Sequence, residues 1–150
     1  MSRVEIDAAG QQDMPFLLEM IGLSLKTLPQ FASKSAVEIQ GLARLELLEW
    51  EGERSYAFIA RSNAQPVGAV WLKAHGEATA RQYTLGIAVN PAQQRKGIGT
   101  QLMKYVLDYC TRNNGSIITL KVHPGNLPAM RLYRHFEFEE ITLEMRKKLQ

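Results

Sequence analysis

Gln94, Arg95 and Lys96 lead into two glycines, Gly97 and Gly99, directly ahead of a helical repeat, and residues of these types in this order suit the binding of an anion. The repeat is Ile98, Leu102, Val106 and Cys110, one apolar side chain every four residues, which predicts one buried face of a helix reaching to Asn113. The first turn of any helix carries main-chain N–H groups without partners, and the helix dipole adds partial positive charge there. With no Cβ at 97 and 99 a phosphate can come close to the main chain, and Arg95 and Lys96 add full charges beside it. The chemistry implied is the grip of a phosphate or pyrophosphate.

The elements that must position this loop lie on either side. Leu85–Val89 is an apolar run closed by Asn90-Pro91, and proline pushes its predecessor out of the helical region, so the run reads as a buried strand. Other glycine loops make the same strand-to-helix passage. A P-loop ends in Gly-Lys-Ser/Thr, which is absent, and the dinucleotide fingerprint has three glycines early in its domain, whereas this loop has two and lies past mid-chain. A glycine turn with no ligand is the plainer alternative.

Downstream, Asn113-Asn114-Gly115 is a helix-ending signal, and Ser116–Val122 has strong strand character. A strand, a helix and a strand in succession make the two strands parallel neighbours, so the fold class is α/β with a mixed sheet. Asn126–Phe136 contains a short helix, after which Phe138–Thr142 and Thr142–Lys148 can form a terminal hairpin. Upstream, Arg3–Ala8 is a first strand. Asp13 offers an N-cap with Pro15 in the first turn, and Phe16, Leu17, Met20 and Ile21 supply a buried helix face that ends at Leu28-Pro29. Ser35 and Glu38 have capping-box spacing ahead of a second helix whose apolar positions are Val37, Leu42, Leu45 and Leu48. Tyr56–Ser62 and Val67–Ala74 form an antiparallel hairpin about the turn at 63–66, and a third strand starts near Gln82. Glu46, Glu49, Glu51 and Glu53 surround Trp50. They could draw in a cationic amine, although a solvated helix end is the better reading.

Two motifs in this layout resemble those of one family. Gln94-x-x-Gly97-x-Gly99 resembles the coenzyme A pyrophosphate loop of the GNAT superfamily of acetyl-CoA-dependent N-acetyltransferases. Asn126, Ala129 and Leu132-Tyr133 ahead of Phe136-x-Phe138 resemble its second signature, N-x-x-A-x-x-L-Y before G-F. The resemblance covers the region from 82 to 142. It implies the GNAT (acyl-CoA N-acyltransferase) fold, a mixed sheet of about six to seven strands flanked by four helices. It also implies acetyl-CoA as acetyl donor, no metal, and a primary amine of a small molecule or peptide as acceptor. Carried over by position, Ile87, Ala88 and Val89 match the strand that pairs with the pantetheine arm. Gln94, Arg95, Lys96, Gly97, Ile98, Gly99 and Thr100 match the pyrophosphate loop. Asn126 matches a residue that touches the coenzyme arm, and Tyr133 the general acid that protonates the departing thiolate.

That chemistry also makes demands of its own. Amide formation from a thioester requires a neutral amine, a polarised carbonyl and a proton for the leaving sulfur. An alkyl ammonium of pKa near 10.4 is only about a thousandth deprotonated at pH 7, so a base or a desolvating channel assists. Main-chain N–H groups at a parted strand can stabilise the oxyanion, and a tyrosine, with reference pKa about 10, keeps its proton until the sulfur needs it. Three departures from the family pattern stand in the sequence. Tyr83 and Thr84 stand where a glutamate base is often found, Lys121 where protein N-terminal acetylating members tend to have glutamate, and Glu137 where a glycine is usual. His75, Glu77 and His123 are the remaining candidates for a base.

With 150 residues, 45% of them hydrophobic, the chain has the size of one domain, residues 1–150, with a real core. A net charge of +3 without long basic runs does not demand nucleic acid, and aromatic residues are not interleaved around Arg95 and Lys96. One cysteine, Cys110, falls on the apolar helix face and suits a reduced, cytoplasmic setting and a structural role. No apolar run reaches the length needed to span a bilayer, and the first residues lead into no signal-peptide core. Edge strands near the C-terminus are compatible with a homodimer. A different class of function, a non-catalytic acyl-CoA binder or sensor, is the alternative, because a fold does not fix a function.

Overall fold

The computed structural model describes residues 4–50 and 55–149, and its centre is a five-stranded mixed sheet in the order β1-β2-β3-β4-β5. The strands are β1 (Val4–Ala8), β2 (Ser55–Ser62), β3 (Gln65–His75), β4 (Arg81–Val89) and β5 (Gly115–Leu120). The first four are antiparallel neighbours, and β5 joins β4 in parallel after the crossover helix α3 (Ile98–Arg112). Helices α1 (Met14–Lys26) and α2 (Ala36–Trp50) precede β2, and α4 (Leu127–His135) follows β5. No helix among the described residues is long and apolar enough to cross a membrane.

The sheet separates two apolar layers, as its period-2 alternation requires. On one side Val70, Leu72, Tyr83 and Leu85 pack under Ile98, Leu102, Met103, Val106 and Cys110 of α3, so the four-residue repeat in that helix is its buried face. Burial alone pushes the Cys110 thiol up to about 12, which keeps it an inert core group. On the other side Ile59, Ala69 and Trp71 meet Leu17, Met20 and Ile21 of α1 and Ala43 of α2. The β2–β3 hairpin turns through Asn63 and Ala64, both in the left-handed region at φ 51° and 66°, and a bulge at Ala60/Arg61 admits Pro66 on the facing strand.

Ser35 and Glu38 close the capping box at the start of α2. The Glu38 N–H donates to the Ser35 hydroxyl at 3.2 Å, and the Ser35 N–H donates to Glu38 Oε1 at 3.4 Å. Three expectations are corrected. The buried positions of α2 are Ile39 and Ala43, whereas Val37, Leu45 and Leu48 are 79%, 62% and 63% exposed. A Cβ on Gly22 of α1 would stand 3.2 Å from Ile39, so the Ile39 side chain packs onto the bare backbone at Gly22, and the face carrying Val37, Leu45 and Leu48 points away. Asp13 does not cap α1 with its side chain, because its backbone is already helical (φ −89°, ψ −6°). Its carboxylate instead accepts from the Gly10 N–H and from Arg61, each at 2.8 Å. The terminal hairpin is not formed: residues 139–149 carry no strand, so five strands stand where about six to seven are expected. The apolar side chains Ile141, Leu143 and Met145 are exposed, at 78%, 73% and 82%. Of the acidic cluster around Trp50, residues 51–54 lie outside the described residues.

Candidate functional site

Where β4 and β5 part, the sheet offers an opening bounded by main chain. The two strands pair from Arg81/Gly115 to Leu85/Leu120, and from Gly86 to Val89 β4 pairs with β3 alone. The N–H and C=O groups of Gly86–Val89 that point away from β3 therefore face the gap. Ile87, Ala88 and Val89, half-buried, line this stretch. The Val89 carbonyl accepts from Gln94 Nε2 at 3.2 Å, which ties the following loop back to the strand end.

That loop is built stepwise. The Asn90 side chain accepts from the Ala92 N–H at 3.1 Å and holds a short 3₁₀ turn at Pro91–Gln93. Arg95 and Gly97 then take left-handed conformations, φ 68° and 77°, and α3 begins at Ile98. The two glycines do different work. A Cβ on Gly97 would meet nothing within 4 Å, so the space above its main chain is open to a ligand, whereas one on Gly99 would lie 3.5 Å from Leu132 and 3.9 Å from Val89. Gly99 thus sits where α4 and the end of β4 meet the start of α3, with room for a Cβ at ordinary contact distance. Arg95 and Lys96 are exposed, and neither is in an ion pair among the described residues. Lys96 Nζ donates back to Gln93 Oε1 at 3.1 Å. Open space over Gly97, two cations, and the unsatisfied first-turn amides of Ile98, Gly99 and Thr100 fit a diphosphate, and the unpaired edge of β4 fits an amide-bearing arm running from it.

The second motif sits against the first. Asn126 Oδ1 accepts from the Ala129 N–H at 3.4 Å, capping α4, and Leu132 of that helix is the neighbour of Gly99. Tyr133 is half-buried, with its ring centroid 5.8 Å from that of Phe138. No protein group among the described residues hydrogen-bonds its hydroxyl, and burial pushes that hydroxyl up to about 12. It holds its proton through the whole neutral range.

The candidate bases separate. Tyr83 is locked in the core with its hydroxyl donating to the Asn113 carbonyl at 3.1 Å. Glu77 lies in the turn before Arg81, roughly 17 Å of strand away from Gly86 at about 3.3 Å per residue, so it is not brought to the gap. His123, just past β5, accepts from the Gly125 N–H through Nδ1 at 2.9 Å, which leaves Nε2 as its protonated nitrogen when neutral. His75 Nε2 stands 3.0 Å from Thr84 Oγ1, and Thr84 shares a strand face with Gly86. One contact at the fork escapes sequence reasoning. Trp71 lies opposite Gly86, a Cβ on Gly86 would fall inside its indole, and its buried N–H has no partner among the described residues. A glycine in mid-strand was the available signal, since such glycines mark close approach.

Comparison with known proteins agrees with this geometry. The chain is 33% identical over 88 residues to the N-alpha-acetyltransferase RimI of Mycobacterium tuberculosis, a match covering 58% of this chain and 54% of that protein. It is 30% identical over 94 residues to the [ribosomal protein bS18]-alanine N-acetyltransferase of Escherichia coli, covering 62% and 61% respectively. The chain thus spans a little over half the length of these curated relatives. Its fold matches that of a predicted acetyltransferase from Clostridium acetobutylicum solved with acetyl-CoA, at TM-score 0.71 and 15% identity over 98% of this chain and 97% of that one. The profile of the Acetyltransferase (GNAT) family matches residues 24–138, and with that span matched and both signatures placed about one parted strand pair, the chain belongs to the GNAT family of acetyltransferases.

Proposed function

We propose that this protein transfers an acetyl group from acetyl-CoA to a primary amine of a small molecule or peptide, by direct attack of the amine. The observation that carries the reading is the unpaired stretch Gly86–Val89 leading into the glycine-lined start of α3. Acetyl-CoA supplies the activated thioester. Gln94 to Thr100 hold its diphosphate through first-turn amides and the Arg95 and Lys96 charges, and Ile87, Ala88 and Val89 direct the pantetheine arm by strand-like pairing. A main-chain N–H of that stretch donates to the carbonyl oxygen as negative charge develops there. Asn126, already the cap of α4, contacts the arm. Tyr133 gives its proton to the departing sulfur, a role suited to a hydroxyl that is protonated at working pH and not committed to a protein acceptor. On the acceptor side the base candidates are His75, whose Nε2 stands 3.0 Å from Thr84 Oγ1, and His123, just past β5. The setting proposed is cytoplasmic.

Thiol release measured with acetyl-CoA and a panel of primary amines and peptides tests the reading. Turnover with at least one amine is expected. Coenzyme binding with no release for any amine would replace it by the binder or sensor function.

A further inference from the structure

Val70, Leu72 and Ala74 of β3 and Ile118 and Leu120 of β5 turn toward α3. Strand alternation therefore turns Trp71, Lys73 and His75, and with them Thr119, to the face shared with α1 and α2. The contact between His75 Nε2 and Thr84 Oγ1 at 3.0 Å puts Thr84 on that face too. By register, one row across it is Ala57, Trp71 and Gly86, and Ala57 and Trp71 belong to the apolar layer under α1. The next row is Ser55, Lys73, Thr84 and Thr119, polar throughout and half-buried. The apolar layer thus stops at the level of Gly86, where β4 and β5 part, and a polar strip begins directly below it. Charge on this strip has one sign. β3, β4 and β5 contain no aspartate or glutamate. Lys73 lies in the polar row, and Lys121, one residue past β5, is level with Gly86 in the parallel register. Neither lysine is in an ion pair among the described residues.

We propose that this strip selects the acceptor by charge: the amine substrate also carries an anionic group, a carboxylate or a phosphate, which Lys73, Thr84 and Lys121 hold while the amine lies at the fork beside Gly86. The inference rests on the acetyl-transfer reading and adds to it the charge of the acceptor. A half-buried ammonium with no counter-ion, beside the place where the amine must enter, attracts an anion and repels a second cation. With its proton on Nε2, His75 donates to Thr84 Oγ1 and leaves the Thr84 O–H to donate onward to the anion. Thr84 and Gly86 are two strand residues apart, about 7 Å at about 3.4 Å per residue, which sets the spacing between anion and amine on the acceptor. Held in this way, the amine meets the thioester from the face opposite α3, whose first turn holds the diphosphate. A polyamine, whose remaining groups are all cationic, is turned away by the same two lysines.

Matched acceptors test this: ω-amino carboxylates and ω-amino phosphates of graded length, the amides and alcohols that remove their charge, and the diamines that reverse it. With acetyl-CoA as donor, the anionic member is expected to exceed its neutral partner in kcat/KM by about tenfold or more, mainly through KM, and the ratio should shrink as salt is raised. The carboxylate and phosphate arms tell which anion is held. Lys73→Gln should bring the ratio toward one and Lys73→Arg should keep it, while both variants bind coenzyme A as the parent does. Neutral amides or diamines that match the anionic acceptors, or a preference for the anion that survives in the Lys73→Gln/Lys121→Gln double variant, would overturn the proposal and leave acetyl transfer standing. Coenzyme binding without thiol release for any amine would overturn the acetyl-transfer reading and this proposal with it.

Discussion

Replacing Gly97 by aspartate separates what the loop does for the fold from what it does for the ligand. Gly97 sits at φ 77°, and a side chain there meets nothing within 4 Å, so the cost to the folded state is that of a left-handed backbone without a clash. That cost is about 1–2 kcal/mol for an ordinary residue, and toward the lower end for aspartate. The effect on the ligand is larger. A carboxylate about 4 Å from one phosphate charge, at an effective dielectric of about 20, opposes binding by about 4 kcal/mol, near a thousandfold in affinity. Salt screens part of this, so at least a hundredfold loss is expected near physiological ionic strength. Gly97→Ala is the control, carrying the backbone strain without the charge, and the ratio of the two variants isolates the electrostatic part. Titration calorimetry with coenzyme A at low and high salt, beside thermal melts, makes the measurement. A folded Gly97→Asp protein that binds coenzyme A within threefold of the parent would refute the assignment of the diphosphate to this loop.

Tyr133→Phe should lower kcat by about 10²-fold or more while coenzyme affinity changes little, and steady-state kinetics beside calorimetry decides it. Because burial pushes the Tyr133 hydroxyl up to about 12, the folded state holds that proton longer than the unfolded chain. The resulting stability is complete below pH 10 and is lost as pH rises toward 12, and tyrosinate absorbance followed with unfolding reports it. Asp13 has the opposite sign. The Gly10 N–H, and then Arg61, hold its carboxyl below the ordinary 3.8, so its stabilisation is present above that value and is lost as pH falls through the lowered one. Arg61→Met should cost about 2–3 kcal/mol at pH 7, below the full range for buried pairs because the Arg61 side chain is 22% exposed, and denaturant melts read the loss. Gly86→Ala drives a Cβ into the Trp71 indole and should destabilise by about 1–3 kcal/mol, with a shifted tryptophan emission.

The central unit was legible because several local signals agreed in it. Ile98, Leu102, Val106 and Cys110 are all buried, Ser116–Leu120 is parallel to Arg81–Leu85, and the glycine loop stands between the strand and the helix that the spacing assigns. Helix α2 shows where counting apolar residues fails. Its hydrophobic side chains are spaced for one face, yet the bare backbone at Gly22 admits Ile39, and Ile39 and the small Ala43 turn inward. Asp13 was read from residue type alone, whereas its use depended on Arg61, 48 positions later in the chain. The alternation at Ile141–Met145 has strand period, yet residues 139–149 carry no strand, because periodicity supplies no partner edge. The opposed Trp71 and Gly86 could be found only from strand register.

The hairpin turn at Asn63-Ala64 bears on how fast this chain reaches its native state. A two-residue turn with both positions left-handed favours glycine at the second, and alanine there raises the turn's energy by about 1 kcal/mol. The β2–β3 ribbon, which carries Ile59, Ala69 and Trp71, therefore gains little from its own corner and zips only once the apolar layers have begun to assemble around it. Ala64→Gly should therefore slow unfolding in a stopped-flow experiment more than it speeds refolding, as expected of a corner that closes after the layers have assembled.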